Sequence, residues 1–207
     1  CRLVREALTA LDLDAMVYPC PKGGLRFRPL VREMGGKEQF PYLVDANTGV
    51  AMYESLDIIE YLFTTYGGRA AYSARGLRAL ALPTSFAASA LRAGHGVRKR
   101  AATAPEQPLE LWSFEGSPFA RLVREALCEL EIPYRLRNCG RAAWADWVPP
   151  PLRARLLPGY QPGEANRAAL LAQAGRVQVP YLHDPNTGHG SFESQDIVAY
   201  LRRTYGR

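Results

Sequence analysis

The heptapeptide Arg-Leu-Val-Arg-Glu-Ala-Leu occurs twice in the chain, at residues 2–8 and again at 121–127. A longer match follows each copy: FPYLVDANTGVAMYESLDIIEYLFTTYG at 40–67 and VPYLHDPNTGHGSFESQDIVAYLRRTYG at 179–206. Self-similarity on this scale makes each copy one structural unit, so the 207 residues read as two versions of one small fold. Between the anchors the first copy carries CPKGGLRFRPLVREMGG. The second copy is longer there, with extra residues at about 140–164 that are rich in Pro, Gly and Trp and are expected to form a surface loop.

The second copy, 108–207, reads as a complete unit. LELWSF (109–114) alternates as a strand does, and Gly116-Ser117-Pro118 then opens a helix, with Ser117 as its cap and Pro118 in its first turn. That helix is predicted to about Glu131, with Leu122, Val123, Ala126, Leu127 and Leu130 facing inward, before Pro133 stops it. PYRLRN is a second strand, and a helix covers about 165–174. Strand YLHD, a turn at Pro185–Gly188, strand GHGSF and a final helix SQDIVAYLRRTY complete the unit. The expected class is therefore α/β, a tandem pair of βαβ-αββα units with mixed sheets. The first copy, 1–67, enters midway through its first helix and lacks the opening strand. That strand, with any targeting segment, is expected upstream of Cys1, because the chain starts without Met.

Residues 68–107 separate the copies. The front of this segment, 77–91 in particular, is apolar and helical in pattern but too short an uncharged run to span a bilayer comfortably. It is expected to pack across the domains, on a membrane surface or on a partner. The rest, HGVRKRAATAPEQP, reads as flexible linker. The formal charge is +6, but the arginines are interspersed with acids along helices, and the repeats show no basic and aromatic face of the kind a nucleic-acid binder needs. Cys1, Cys20, Cys128 and Cys139 have no metal-ligand spacing, and Cys20 and Cys139, at matching places, read as core thiols. His95 falls in the linker and His183 and His189 flank a turn, so no metal site is expected.

Four features could carry chemistry. Ser117 puts a hydroxyl at a helix N-terminus, where free amides and the dipole favour an anion. Val179-Pro180 and Phe40-Pro41 each precede a strand, as a rigid turn with a cis bond would, exposing backbone groups to a peptide-like ligand. Glu193-Ser194 and Glu54-Ser55 open the last helices. There a serine and free amides suit a carboxylate, and the glutamate suits an ammonium group. Arg121 and Arg124, with Arg2 and Arg5 as counterparts, would either raise the local potential or form surface ion pairs.

Together, Ser117-Pro118-Phe119-Ala120, Val179-Pro180-Tyr181-Leu182 and Glu193-Ser194-x-Asp-Ile-x-x-Tyr-Leu resemble the thioredoxin-like N-terminal domain of glutathione S-transferases. The resemblance covers about 1–66 and 108–207. The tandem arrangement, with PLELWSFEGSPF, is similar to a chloroplast-directed plant and algal group of duplicated domains. It implies tandem thioredoxin-like folds, a plastid location and glutathione as ligand. It also implies that Phe40, Pro41, Glu54, Ser55, Val179, Pro180, Glu193 and Ser194 line the binding clefts. Related omega-type proteins and glutaredoxins have cysteine where Ser117 stands. Ser117 would hold a thiolate by hydrogen bond rather than form a mixed disulfide. Cys1 falls opposite Ala120 and would be the second member of a Cys-x-x-Cys pair if a cysteine preceded it by three residues.

Nothing in the chain is patterned as the helical second domain of a transferase. Two readings therefore stay open, and with them whether the chain is an enzyme. One is a glutathione or thiol-peptide binding protein with thiol-transfer or redox chemistry at Ser117 or Cys1. The other is a non-catalytic assembly subunit that contacts a protein partner through Trp144, Trp147 or segment 77–91.

Overall fold

The computed structural model describes residues 1–67, 96–141 and 143–207. Segment 77–91 and His95 lie outside the described residues. The first lobe runs α1 (Arg2–Ala10), β1 (Ala15–Val17), α2 (Arg28–Gly35), β2 (Leu43–Asp45), β3 (Val50–Met52) and α3 (Ser55–Tyr66). The second runs β4 (Leu109–Ser113), α4 (Pro118–Glu129), β5 (Tyr134–Asn138), a 3-10 turn at Trp144–Trp147 and α5 (Pro150–Leu156). It continues through α6 (Ala165–Ala174), β6 (Tyr181–Asp184), β7 (His189–Ser191) and α7 (Ser194–Tyr205).

In the second lobe β4 pairs parallel to β5 and antiparallel to β6, and β6 pairs antiparallel to β7. Helices α4 and α7 cover one face through Val123, Leu127, Ile197 and Leu201, which are fully buried on Leu109, Leu111 and Leu182. Burying each such side chain contributes about 2 kcal/mol. Trp112, Cys139, Leu170 and Tyr181 form the opposite face beneath α6. The first lobe has its own core between α1 and α3, built from Val4, Leu8, Ile58, Leu62 and Phe63.

The lobes join edge to edge. Strand β1 pairs antiparallel with β5, so that Ala15 faces Leu136, Met16 faces Arg135 and Val17 faces Tyr134. One sheet in the order β1-β5-β4-β6-β7 thus crosses the junction, while β2 and β3 form a separate hairpin. The contacts around the junction are reciprocal. Asp12 and Glu131 end the equivalent helices with φ of 50° and 49°, a region that costs a non-glycine residue about 1–2 kcal/mol. Each carboxylate then reaches the other lobe: Asp12 accepts from the Gly140 amide at 3.2 Å, and Glu131 accepts from the Leu25 and Arg26 amides at 3.2 and 3.0 Å. Arg137 adds ion pairs to Asp14 at 2.6 Å and Glu110 at 2.7 Å.

A tyrosine clamp recurs in both lobes. Tyr61 and Tyr66 donate to Asp45 Oδ2 at 2.6 and 2.5 Å, and Tyr200 and Tyr205 donate to Asp184 Oδ2 at the same distances. The clamp ties each hairpin turn to the last helix of its lobe.

Two expectations need correction. The extra stretch at 140–164 is not a bare surface loop: besides the 3-10 turn and α5, it buries Asp146 and Arg153. Tyr160 donates to Asp146, and Arg153 donates to the Val177 carbonyl. Nor is the end of the linker free. Lys22 bonds to Val97 and Lys99, Arg100 donates its amide to Glu129, and Thr103 donates to Tyr205. The basic residues there stitch the two lobes together, with Arg100 also paired to Glu129 at 2.8 Å.

Candidate functional site

Strand register brings the expected residues of the second lobe to one end of its sheet. Trp112 sits opposite Tyr181, so the C-terminal end of β4, which leads to Ser117, lies beside the Val179-Pro180 entrance to β6. Leu182 sits opposite Ser191, so the end of β7, leading to Glu193-Ser194, returns to the same place. The bonds before Pro41 and Pro180 are both cis.

Ser117 caps α4, its Oγ accepting from the Ala120 amide at 3.2 Å. A capping hydroxyl used as acceptor still has its proton to donate, and here it is half-buried. Glu193 holds the N-cap position of α7, exposed and without a side-chain capping bond, while Ser194 is buried behind it. Gln178 Nε2 donates to Glu193 Oε1 at 3.1 Å, orienting that carboxylate. The first lobe repeats the device: Gln39 donates to Glu54, which precedes Ser55 and has a φ of 65°. Its Phe40-Pro41 edge has the Arg28 guanidinium 4.8 Å from the Phe40 ring. Cys1 is exposed at the start of α1, one turn before Arg5, whose amide donates to the Cys1 carbonyl at 3.2 Å.

The loop before Ser117 is held from both lobes. Arg5 donates to Glu115 at 2.9 and 3.2 Å. Arg124 lies 3.3 Å from the same carboxylate and donates to Ser113 Oγ at 2.7 Å and to the Glu115 carbonyl at 3.1 Å. Burial opposes the charge on both guanidinium groups. Glu115 holds Arg5 firmly charged, whereas Arg124 is left lowered from its usual value. The outer arginines take the ion-pair alternative, Arg2 with Glu6 and Arg121 with Glu125, each at 2.8 Å.

The other thiols are half-buried or buried, which disfavours the thiolate. Burial pushes Cys20 and Cys128 up to about 11 and Cys139 to about 12. Cys139 is buried as expected, but Cys20 is only half-buried, because its lobe offers no counterpart of α6 packed as closely against it. His189 stacks on Tyr200 at 3.9 Å, and among the described residues no group of three or more His, Cys, Asp or Glu is arranged to hold a metal ion.

Between the lobes, beside Gly116, opens a cleft of about 400 Å³ lined by Asp12, Phe114, Arg141, Trp147 and Glu164 among others. Of these residues the sequence singles out only Trp147, and that as a contact for a partner. Asp12 comes from the first lobe, and Arg141 and Glu164 come from the stretch that has no counterpart there.

The family model for the glutathione S-transferase N-terminal domain matches residues 1–70 and 111–207. The chain belongs to this family. Its members bind glutathione, and the mixed α/β architecture of the second lobe is that of the thioredoxin-like domain. Comparison with curated proteins and with solved structures found no match.

Proposed function

We propose that the second lobe of this glutathione S-transferase-like protein binds glutathione, or a related thiol peptide, across the end of its sheet. The carrying observation is the register that gathers two helix starts, Ser117 and Glu193-Ser194, around the Val179 backbone. The Ser117 hydroxyl donates to the ligand thiolate. Ser194 and the first amides of α7 take the γ-glutamyl carboxylate, and Glu193 takes its ammonium. A hydrogen bond to a charged group contributes about 1.5–3 kcal/mol and a helix dipole about 0.3–1 kcal/mol, so the hydroxyl is the larger influence on the thiolate.

Two chemistries follow from such a site. At Ser117 the bound thiolate attacks an electrophilic carbon, forming a C–S bond while the leaving group departs with its electron pair. At Cys1 the side-chain thiolate attacks oxidised glutathione, forming a mixed disulfide and releasing one glutathione thiolate. Calorimetric titration of the protein with glutathione tests the reading. Saturable heat that Glu193→Gln weakens at least tenfold supports it. Absence of heat at millimolar glutathione refutes it.

The two lobes are read as a tandem duplication of one unit, and a plastid is the proposed location. The support is the repeated sequence with the PLELWSFEGSPF pattern, and imaging of a fluorescent fusion of the full-length protein tests the location. The assembly-subunit reading draws on a different observation. Trp144 and Trp147 remain 72% and 62% exposed, and Leu156 of the same stretch is 60% exposed. Exposed tryptophans of this kind suit anchoring to a protein partner. Segment 77–91 remains a proposed contact with that partner or with a membrane surface; among the described residues no helix is long and apolar enough to cross a membrane.

A further inference from the structure

The inter-lobe cleft has a charge pattern that the glutathione reading does not use. Arg141 lies over the Phe114 ring at 4.4 Å and over the Trp147 ring at 4.7 Å. Its Nε is buried without a hydrogen-bond partner, and no ion pair neutralises it among the described residues. Asp146, the acid whose field reaches it, is already engaged by the Tyr160 hydroxyl, the Ala143 amide and Arg167. A guanidinium fixed on aromatic faces and lacking a counter-ion is a ready receptor for a carboxylate.

The same cleft holds a second, opposite charge centre. Asp12 and Glu164, from different lobes, are close enough to interact. Burial, opposed by the Gly140 amide and reinforced by Glu164, pushes the Asp12 carboxyl up to about 6. The two carboxyls lie within hydrogen-bond reach of one another, and an ammonium group at the pair relieves their repulsion. The remaining acids of the lining are already matched, Glu6 by Arg2 and Glu115 by Arg5 and Arg124. With no third free carboxylate, the pair suits an ammonium group rather than a metal ion.

The geometry points to a second ligand site in this cleft, for a zwitterionic aminoacyl compound with an aromatic body. Its carboxylate rests on Arg141, its ammonium rests against the Asp12–Glu164 pair, and its ring lies along Phe114 and Trp147. The site exists only where both lobes contribute, because Asp12 belongs to the first and Arg141 and Glu164 to the second. It does not require glutathione to be bound.

L-Phenylalanine is a suitable probe, read by tryptophan fluorescence and independently by calorimetry. It is expected to bind at least tenfold more tightly than 3-phenylpropanoate, which lacks the ammonium, or phenethylamine, which lacks the carboxylate. Arg141→Gln removes the advantage over phenethylamine, and Asp12→Asn removes the advantage over 3-phenylpropanoate. Circular dichroism of both variants establishes that each is folded. Trp147→Phe abolishes the fluorescence change while leaving the calorimetric signal. Equal affinity for the three probes, no saturable binding, or unchanged selectivity in the folded variants would overturn the assignment. So would displacement of phenylalanine by glutathione, since the cleft would then be part of the glutathione site. Failure to bind glutathione with phenylalanine binding intact would sink only the earlier reading.

Discussion

Replacing Tyr205 by Phe removes one hydroxyl and keeps the ring. Tyr205 is 6% exposed and Asp184 is fully buried, so water does not replace the lost donor. Asp184 retains the Tyr200 hydroxyl at 2.6 Å and the Asn186 backbone and side-chain amides at 2.8 Å, but its Oδ2 falls from two tyrosine donors to one. A hydrogen bond to a buried charge contributes about 1.5–3 kcal/mol, so Y205F should cost about 2 kcal/mol. For a chain of this size that lowers Tm by roughly 4–8 °C. The repeat supplies an internal control. Tyr66 makes the same bond to Asp45 at 36% exposure, where solvent can take over, so Y66F should cost clearly less. Urea unfolding of the two variants provides the measurement. Linkage adds a pH signature. Burial raises the Asp184 carboxyl, but Tyr200, Tyr205 and Asn186 outweigh it and hold it below the usual range. Stability from a depressed carboxylate is present above its unfolded value and lost as pH falls through the folded one. The gap between wild type and Y205F should therefore narrow from about pH 5 to about pH 3. Equal losses for Y205F and Y66F, or a pH-independent gap, would refute the reasoning.

Asp12→Asn should show the opposite pH trend. With the folded carboxyl raised from 3.8 to about 6, wild-type stability falls relative to the variant as pH rises from about 4 to 6. Half-exposure and screening reduce the effect to roughly 1 kcal/mol, readable by urea midpoints across that range. Thiol titration with an aromatic disulfide at pH 8 should find Cys1 fast and Cys20, Cys128 and Cys139 slow; a second fast thiol would contradict their raised values. Arg5→Gln should destabilise the folded chain by about 2 kcal/mol, and Arg5→Lys should restore only part, since a lysine cannot match both Glu115 oxygens. Full rescue by lysine would show that charge alone matters there.

Local signals were well preserved in the sequence. The helix from Ser194 to Tyr205, strand Tyr181–Asp184 and the Ser117 cap appear where periodicity, a turn and a Ser-Pro pair place them. What could not be read depends on distant partners. No pattern near Ala15 announces that it will face Leu136, and neither Asp12 nor Glu131 announces that it will bend backward to cap the other lobe's chain. Residues 96–103 have linker composition, yet backbone hydrogen bonds, which composition does not encode, hold them in place. The cleft is hidden for the same reason: its charged residues are dispersed over three segments that become neighbours only after the lobes have joined.

Met16 and Arg135 lie the same distance past the shared heptapeptide and face each other across the seam. An exposed strand margin is an invitation to any similar margin, and two like halves could in principle pair with copies of themselves. Two second halves meeting this way would set Arg135 against Arg135, a repulsive encounter. By placing methionine at that spot in one half and arginine in the other, the polypeptide makes the first half a better match for the second than a duplicate of the second would be.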